Sequence, residues 1–313
     1  MEQKKLISIV IPVYNGAETI KNLVEKIISV MKNRYQIEII LVNDYSTDSS
    51  EDVCFNLYQQ HNHIVKFYSL AKNVGEHNAV MAGLNYSNGD YVVIMDDDFQ
   101  NPPDEILTLI NHAIKHDYDV VYSYYNQKEH SLFRNIGSWF NGIIANIMLD
   151  KPSELYLSSF KVLNRFIVNE VIRYSSPFIY IDGIIFQITS NIGKIEVKHN
   201  KRVIGKSNYT MKKLFLLWLN MFLSFSILPL RMSAFLGSII SCFGLIYAFI
   251  AIIEKFVNAE LISGWTSLIV IISIFSGAQL MCIGVIGEYV GRIFISLNHK
   301  PQFTVRRGYS DEH

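Results

Sequence analysis

Two stretches of the chain, Met232 to Ile253 and Thr266 to Gly287, each run for 22 residues without one charged side chain. At about 1.5 Å rise per residue, either makes a helix able to cross the roughly 30 Å hydrocarbon core of a bilayer. Two buried helices of a soluble domain are the competing reading, and the flanks weigh against it. Arg231 precedes the first stretch, and Arg292, Lys300, Arg306 and Arg307 follow the second. The connecting segment, Glu254 to Trp265, sets Lys255 against Glu254 and Glu260, so the bias of positive charge toward the cytoplasm predicts both termini on that side. The opening Met-Glu-Gln-Lys-Lys leads straight into a short strand pattern that is too short for the apolar core of a signal peptide. Insertion is therefore expected to depend on the late helices.

Composition confirms that the rest is of another kind. Of 313 residues, 50% are hydrophobic and 18% charged, which is apolar for a soluble protein and too polar for an all-helical membrane bundle. Lys plus Arg and Asp plus Glu number 28 each, so no net field attracts nucleic acid. Cys54, Cys242 and Cys282 lie far apart and form neither a paired framework nor a zinc spacing, as suits a reducing compartment.

Ahead of the apolar stretches, Lys212 to Leu230 is aromatic and apolar but carries Asn220 and Ser224 at its centre, which predicts a helix lying at the interface. Ser131 to Met148 places Leu132, Phe133, Ile136, Trp139, Phe140, Ile143, Ile144 and Ile147 at helical spacing. Such a stripe packs either on a sheet or on the membrane surface.

The first two hundred residues alternate. Short β-rich runs at Ile7–Ile11, Ile37–Val42, Ile64–Tyr68, Tyr91–Met95 and Val120–Tyr122 are separated by helical patterns, of which Ile20, Leu23, Val24, Ile27, Ile28 and Met31 form one face. This βαβ order predicts a mostly parallel sheet flanked by helices. Ligands of such sheets bind beyond the carboxyl ends of the strands. After the first strand stands Pro12-Val13-Tyr14-Asn15-Gly16, after the second Asn43-Asp44-Tyr45-Ser46-Thr47-Asp48, and after the fourth Asp96-Asp97-Asp98-Phe99-Gln100. Asp96 and Asp98, two apart, point the same way in an extended chain, and convergent carboxylates suit a hard divalent cation, with Gln100 as a further oxygen donor. A solvated turn explains three aspartates equally well, and Asp44 or Asp48 could simply cap the next helix. Neither a G-x-G-x-x-G fingerprint nor a Walker loop is present.

Taken in order, PVYN, VNDYSTD, NVGEHNAVMAG (Asn73 to Gly83) and MDDDFQNPP (Met95 to Pro103) resemble the motifs of the inverting glycosyltransferase family two. SSFKVLNR (Ser158 to Arg165), HNKRVIGKSNY (His199 to Tyr209) and GEYVGR (Gly287 to Arg292) are similar to its polyprenyl-phosphate branch, which includes bactoprenol glucosyltransferases, the undecaprenyl-phosphate aminoarabinose transferase and dolichyl-phosphate mannose synthase. The resemblance implies an α/β fold with a GT-A nucleotide-sugar-binding domain at 1–210, carrying an amphipathic interfacial helix at 131–149. A juxtamembrane helix at 211–230, two transmembrane helices within 231–288 and a cytoplasmic tail at 289–313 would follow.

On the same resemblance, Pro12, Tyr14, Asn15, Asp44, Asn73 and Gly75 would hold a nucleotide-sugar, with Asp96 and Asp97 beside them. Asp96, Asp98 and Gln100 would hold Mg²⁺ or Mn²⁺. Family members often read Asn-Glu where this chain has Asn15-Gly16, which leaves Glu18 to supply that acidic contact. Part of the family also carries an Asp, proposed as a base, where this chain has Ser159. A phosphate monoester with a second pKa of about 6 needs little help from a base, because it is largely dianionic at neutral pH. It does need its charge neutralised, a role that falls to Arg202 and Lys206 with Arg134 and Ser159 as further donors; anchoring to anionic lipid is the competing role for Arg202 and Lys206. The catalytic set is thus expected to be Asp96, Asp98, Ser159 and Arg202.

The implied activity is inverting transfer of a sugar from a nucleotide-sugar, UDP-linked, to a polyprenyl phosphate such as undecaprenyl phosphate at the cytoplasmic face of a bacterial inner membrane. Partners would be those two substrates and the bilayer, with a homotetramer implied by the family and small residues such as Gly237, Gly244 and Gly277 allowing helices to approach. Three rivals remain: a processive synthase, against which the missing Q-x-x-R-W counts; an inactive membrane-tethered nucleotide-sugar-binding scaffold; and a transferase to a non-lipid acceptor. The motifs leave the sugar open.

Overall fold

A computed structural model describes residues 4–125, 155, 157–198, 200, 228–257, 264–298 and 300–310. The expected helix at 131–149 and residues 211–227 of the juxtamembrane segment lie outside them. The chain divides into two compact units, residues 1–210 with 301–313, and residues 211–300.

The first unit is built on an eight-stranded sheet. Its strands are β1 (Leu6–Val13), β2 (Gln36–Asn43), β3 (Val65–Leu70), β4 (Tyr91–Ile94), β5 (Val120–Tyr124), β6 (Lys161–Asn164), β7 (Ile192–Glu196) and β8 (Val305–Tyr309), in the order β7-β5-β6-β4-β1-β2-β3-β8. The pairs β1–β2, β1–β4, β2–β3 and β5–β7 are parallel, whereas β6 runs antiparallel to both β4 and β5, and β8 antiparallel to β3. Helices α1 (Ile20–Met31), α2 (Ser50–Gln60), α3 (Glu76–Asn85) and α4 (Glu105–His116) connect the early strands, and α5 (Arg165–Val171) and α6 (Ile181–Ile188) precede β7.

The central strands form because both their faces are covered. Ile7, Ile9, Val10 and Ile11 of β1 and Ile39 to Val42 of β2 are fully buried, the continuous apolar run expected of a parallel strand between helix layers. Helix α1 forms because Ile20, Leu23, Val24, Ile27 and Met31 recur on one face, and all five are fully buried. Each such side chain contributes about 1.5–3 kcal/mol relative to exposure. The chain steps from β1 to β2 and β3 on one side, then returns to place β4 on the other side of β1. That reversal makes the ends of β1 and β4 a topological switch point, the place where sheets of this kind take their ligands.

The segment after residue 288 departs from the expected tail. Residues 289–297 continue the second apolar helix, and Val305–Tyr309 adds the edge strand β8 to the sheet of the first unit. The reason lies in Tyr309, whose ring sits 4.9 Å from that of Phe55, 5.6 Å from Tyr58 and 6.0 Å from Phe67.

The second unit holds helices α7 (Leu228–Val257) and α8 (Trp265–Leu297). Each contains a window apolar enough to cross a membrane, Leu230–Tyr247 and Ile274–Leu297. Their large side chains face outward: Phe235, Phe243, Leu245, Leu280 and Leu297 are each about two-thirds exposed, unlike the core helix of a soluble domain. The two helices touch closely at Gly244, where a Cβ would fall 2.1 Å from the Phe275 ring.

Candidate active site

The loops leaving β1, β2 and β4 each contain one non-glycine residue in the left-handed region: Asn15 at φ 55°, Tyr45 at φ 56° and Phe99 at φ 60°. Such conformations cost about 1–3 kcal/mol each and persist only where surrounding contacts enforce them. Here the loops after β1 and β2 enforce one another. Asn15 Oδ1 accepts from Thr47 N at 2.9 Å and Thr47 Oγ1 at 3.2 Å, while Asn15 N donates to Ser46 Oγ at 3.0 Å. The result leaves Tyr14 and Tyr45 as exposed aromatic rings on neighbouring loops. Pro12 lies one residue from the end of β1, paired with Val42, and Glu18 is exposed in the turn before α1.

Asp44 is the buried centre of this group. Its N–H donates to Val13 O at 2.9 Å, its carbonyl accepts from Asn73 Nδ2 at 3.1 Å, and its carboxylate accepts from Val74 N at 2.8 Å and Gly75 N at 2.9 Å. Gly75, at φ 88°, permits the turn that aims both amides inward. Burial pushes the Asp44 carboxyl above its ordinary value, against the two amides that favour the charge. Asp44 thus joins the exits of β1, β2 and β3. Asp48 does not cap α2 through the first free amide alone: it accepts from Ser50 N and Ala17 N, tying α2 to the β1 loop.

The three aspartates after β4 part company. Asp96 Oδ2 accepts from Ser159 Oγ at 2.6 Å, because β6 runs antiparallel beside β4 and delivers Ser159 opposite the strand end. Asp98 is buried, and its Oδ1 accepts the Gln100 backbone N–H at 3.0 Å. Gln100 therefore contributes its amide to Asp98, and its carbonyl accepts from Asn200 N at 2.8 Å. Asp97 turns toward the β1 loop, where a Cβ on Gly16 would fall 2.1 Å from Asp97 Oδ2. This places Asp97 against the backbone of the β1 loop.

Burial, then the charge of Glu76, pushes the Asp96 carboxyl up to about 7, with Asp98 and Asp97 adding to the rise and Ser159 opposing it. This is a concentration of negative charge among oxygen donors, which suits a hard cation. Among the described residues no three His, Cys, Asp or Glu side chains converge on one point. A cation here would take carboxylates from Asp96 and Asp98 and the remaining oxygens from substrate or water. Arg134, Arg202 and Lys206 lie outside the described residues.

Several residues escaped the sequence reading. Glu76, at the start of α3, bears on Asp96, and Tyr45 doubles the exposed aromatic surface of Tyr14. Behind Ser159, Lys161 on β6 is ion-paired with Asp182 of α6, Tyr122 OH donates to Asp182 Oδ1 at 2.8 Å, and the Lys161 ammonium lies 5.1 Å from the Tyr122 ring centre. A lysine in a four-residue strand carries no local sign that it will be buried.

The sequence model described as glycosyl transferase family 2 matches residues 8–172, a span that includes Asp44, Asp96, Asp98 and Ser159. The chain is 31% identical, over 99% of its length and 96% of the relative's, to the undecaprenyl-phosphate 4-deoxy-4-formamido-L-arabinose transferase of Photorhabdus laumondii. It is 30% identical over 97% of its length, and 94% of the relative's, to an uncharacterized glycosyltransferase of Bacillus subtilis. Among solved structures, glucosyl-3-phosphoglycerate synthase from Mycobacterium tuberculosis, in complex with Mn²⁺, UDP-glucose and phosphoglyceric acid, matches 70% of this chain and 78% of its own. Its TM-score is 0.51 at 15% identity, a likeness of fold.

Proposed function

Because this chain belongs to glycosyl transferase family 2, we propose that it transfers one sugar from a UDP-sugar to a polyprenyl phosphate, undecaprenyl phosphate being the natural form. The product is a lipid-linked monosaccharide for building or modifying an envelope glycan. The observation that supports this reading is that the Asp44 clamp follows β2 and the Asp96–Ser159 pair and Asp98 follow β4, the two strands that flank β1 in the sheet. Relatives named as undecaprenyl-phosphate transferases support the acceptor. So do α7 and α8: an acceptor with a polyprenyl tail stays in the bilayer, and a transferase held beside it by two spans meets it there, with residues 1–210 on the cytoplasmic face.

In this reading Asp44, Asn73 and Gly75 form the wall against which the nucleotide lies, and Tyr14 or Tyr45 offers a face for its base. Asp96 and Asp98 would hold Mg²⁺ or Mn²⁺, with Gln100 beside them. When bound, such a cation offsets the charge of the donor's diphosphate as it departs. Ser159 fixes the rotation of the Asp96 carboxylate. The acceptor phosphate, with a second pKa of about 6, is already an anion able to attack the anomeric carbon, so Ser159 need not accept a proton. Arg202, Lys206 and Arg134 would counter the acceptor's charge. Attack opposite the leaving diphosphate inverts the anomeric centre.

The test is a transfer assay with purified protein, undecaprenyl phosphate and labelled nucleotide-sugars, with and without Mn²⁺ or Mg²⁺, following label into the organic phase. Metal-dependent lipid label with an inverted anomeric centre is expected, and Asp98→Asn abolishes it. A retained anomer, or label entering only a soluble acceptor, overturns the reading.

A further inference from the structure

The edge strand of the sheet is supplied by the segment that follows α8. There β8 pairs Phe67 with Tyr309, Tyr68 with Gly308, Ser69 with Arg307 and, past an irregularity, Leu70 with Val305. The contact continues beyond the ladder: Ala71 N–H donates to Thr304 O at 2.8 Å. Two residues further along the same loop stands Asn73, whose amide reaches the Asp44 carbonyl, followed by Val74 and Gly75, whose N–H groups hold the Asp44 carboxylate.

The returning segment is itself fixed at three places. Tyr309 fills the space between Phe55, Tyr58 and Phe67. Arg307 pairs with Glu51, in the first turn of α2, at 3.3 Å. The Gln302 side-chain amide donates to Ser176 O at 3.0 Å and to Tyr174 O. One side of β8 thus grips the helix that follows the Asp44 loop, and the other grips the strand that leads into the Asn73 loop. Both loops of the clamp are steadied by a piece of chain that stands apart from the Asp44 carboxylate.

We propose that residues 301–310 act as a positioning strap for the donor pocket, setting the exit path of β3 so that the amides of Val74 and Gly75 meet Asp44. The proposal rests on the reading of Asp44 as a nucleotide-sugar contact. In sequence the strap comes directly after the second apolar helix. A bare β3 edge can be solvated by water, so loss of the strap acts first on the loop beyond the ladder, and an added strand can restore it.

The experiment compares the full chain with one ending at Lys300, both helices retained, in lipid nanodiscs. Amide hydrogen exchange is read at residues 71–75, and affinity is read by UDP titration. Truncation is expected to speed exchange at 71–75 while sparing β1 and β4, and to weaken UDP binding tenfold or more. A peptide corresponding to Pro301–His313, added in trans, reverses both. Unchanged exchange and affinity, or a folded truncated protein that the peptide does not rescue, overturns the proposal. If the truncated chain does not fold, the full-length R307A/Y309A variant is measured in its place; it must show the same two changes, and wild-type behaviour overturns the proposal. If the full chain itself binds no UDP, the donor reading fails, while exchange at 71–75 still decides the strap.

Discussion

Ser159 donates a 2.6 Å hydrogen bond to Asp96 across 63 residues of sequence. The bond favours the ionised carboxylate against burial and the charge of Glu76. Ser159→Ala removes the donor that orients the Asp96 carboxylate and is expected to slow transfer. Hydrogen bonds to charged groups contribute about 1.5–3 kcal/mol, so kcat/KM at neutral pH should fall roughly ten- to a hundredfold. Ser159→Thr, which keeps the hydroxyl, should retain most activity. Steady-state transfer rates of the two variants check both.

Asp44→Asn replaces one carboxylate oxygen by an amide donor and sets it against an N–H of Val74 or Gly75. A buried donor left without its acceptor costs about 1–3 kcal/mol. The expected outcome is a lower Tm and a donor KM raised about tenfold or more, with a smaller change in kcat. Steady-state kinetics over a range of donor concentrations separates the two.

Gly16 leaves no room for a side chain while Asp97 stays where it is. Gly16→Ala should therefore destabilise the protein by about 1–3 kcal/mol, the usual cost of overpacking. Asp97→Ala removes the clashing oxygen, so the double variant should recover much of that loss. Denaturant titration of the four proteins measures the coupling, and strict additivity would refute it.

His77 stacks edge-on with Tyr180 at 5.2 Å, and burial holds its pKa below the ordinary 6.5 despite Glu76 and Asp182. The folded chain then binds fewer protons than the unfolded chain below that pH. The stability it contributes is present above 6.5 and lost as pH falls toward the folded value. The wild-type Tm, taken relative to that of His77→Gln, should therefore fall as pH drops below about 6.5, whereas Asp96, with its raised pKa, acts in the opposite direction in both proteins. Calorimetry across that range tests the sign.

The parallel half of the sheet was legible because Ile7–Ile11 and Ile37–Val42 are apolar on both faces, and only a covered strand reads so. The edge strand β8 was not. Arg306 and Arg307 read as membrane anchors, and the aromatic contacts that recruit Tyr309 lie more than two hundred residues away in sequence. Asp44, Asp96 and Asp98 announced themselves by standing directly after strands. The partition among the aspartates did not, because it depends on β6 bringing Ser159 to Asp96 and on Gly16 receiving Asp97. The left-handed turns at Asn15, Tyr45 and Phe99 were equally hidden, since none of the three residues is glycine.

The pairing of β3 with β8 also sets an order of events during synthesis. β3 is made early, yet its partner emerges only after both apolar helices have been translated. Until then the ribosome-bound chain presents an unpaired strand edge and an open slot between Phe55, Tyr58 and Phe67, the kind of surface on which nascent proteins aggregate or recruit chaperones. Completion of the sheet therefore waits for synthesis of both apolar helices, and the last strand to be made closes the edge of one of the first.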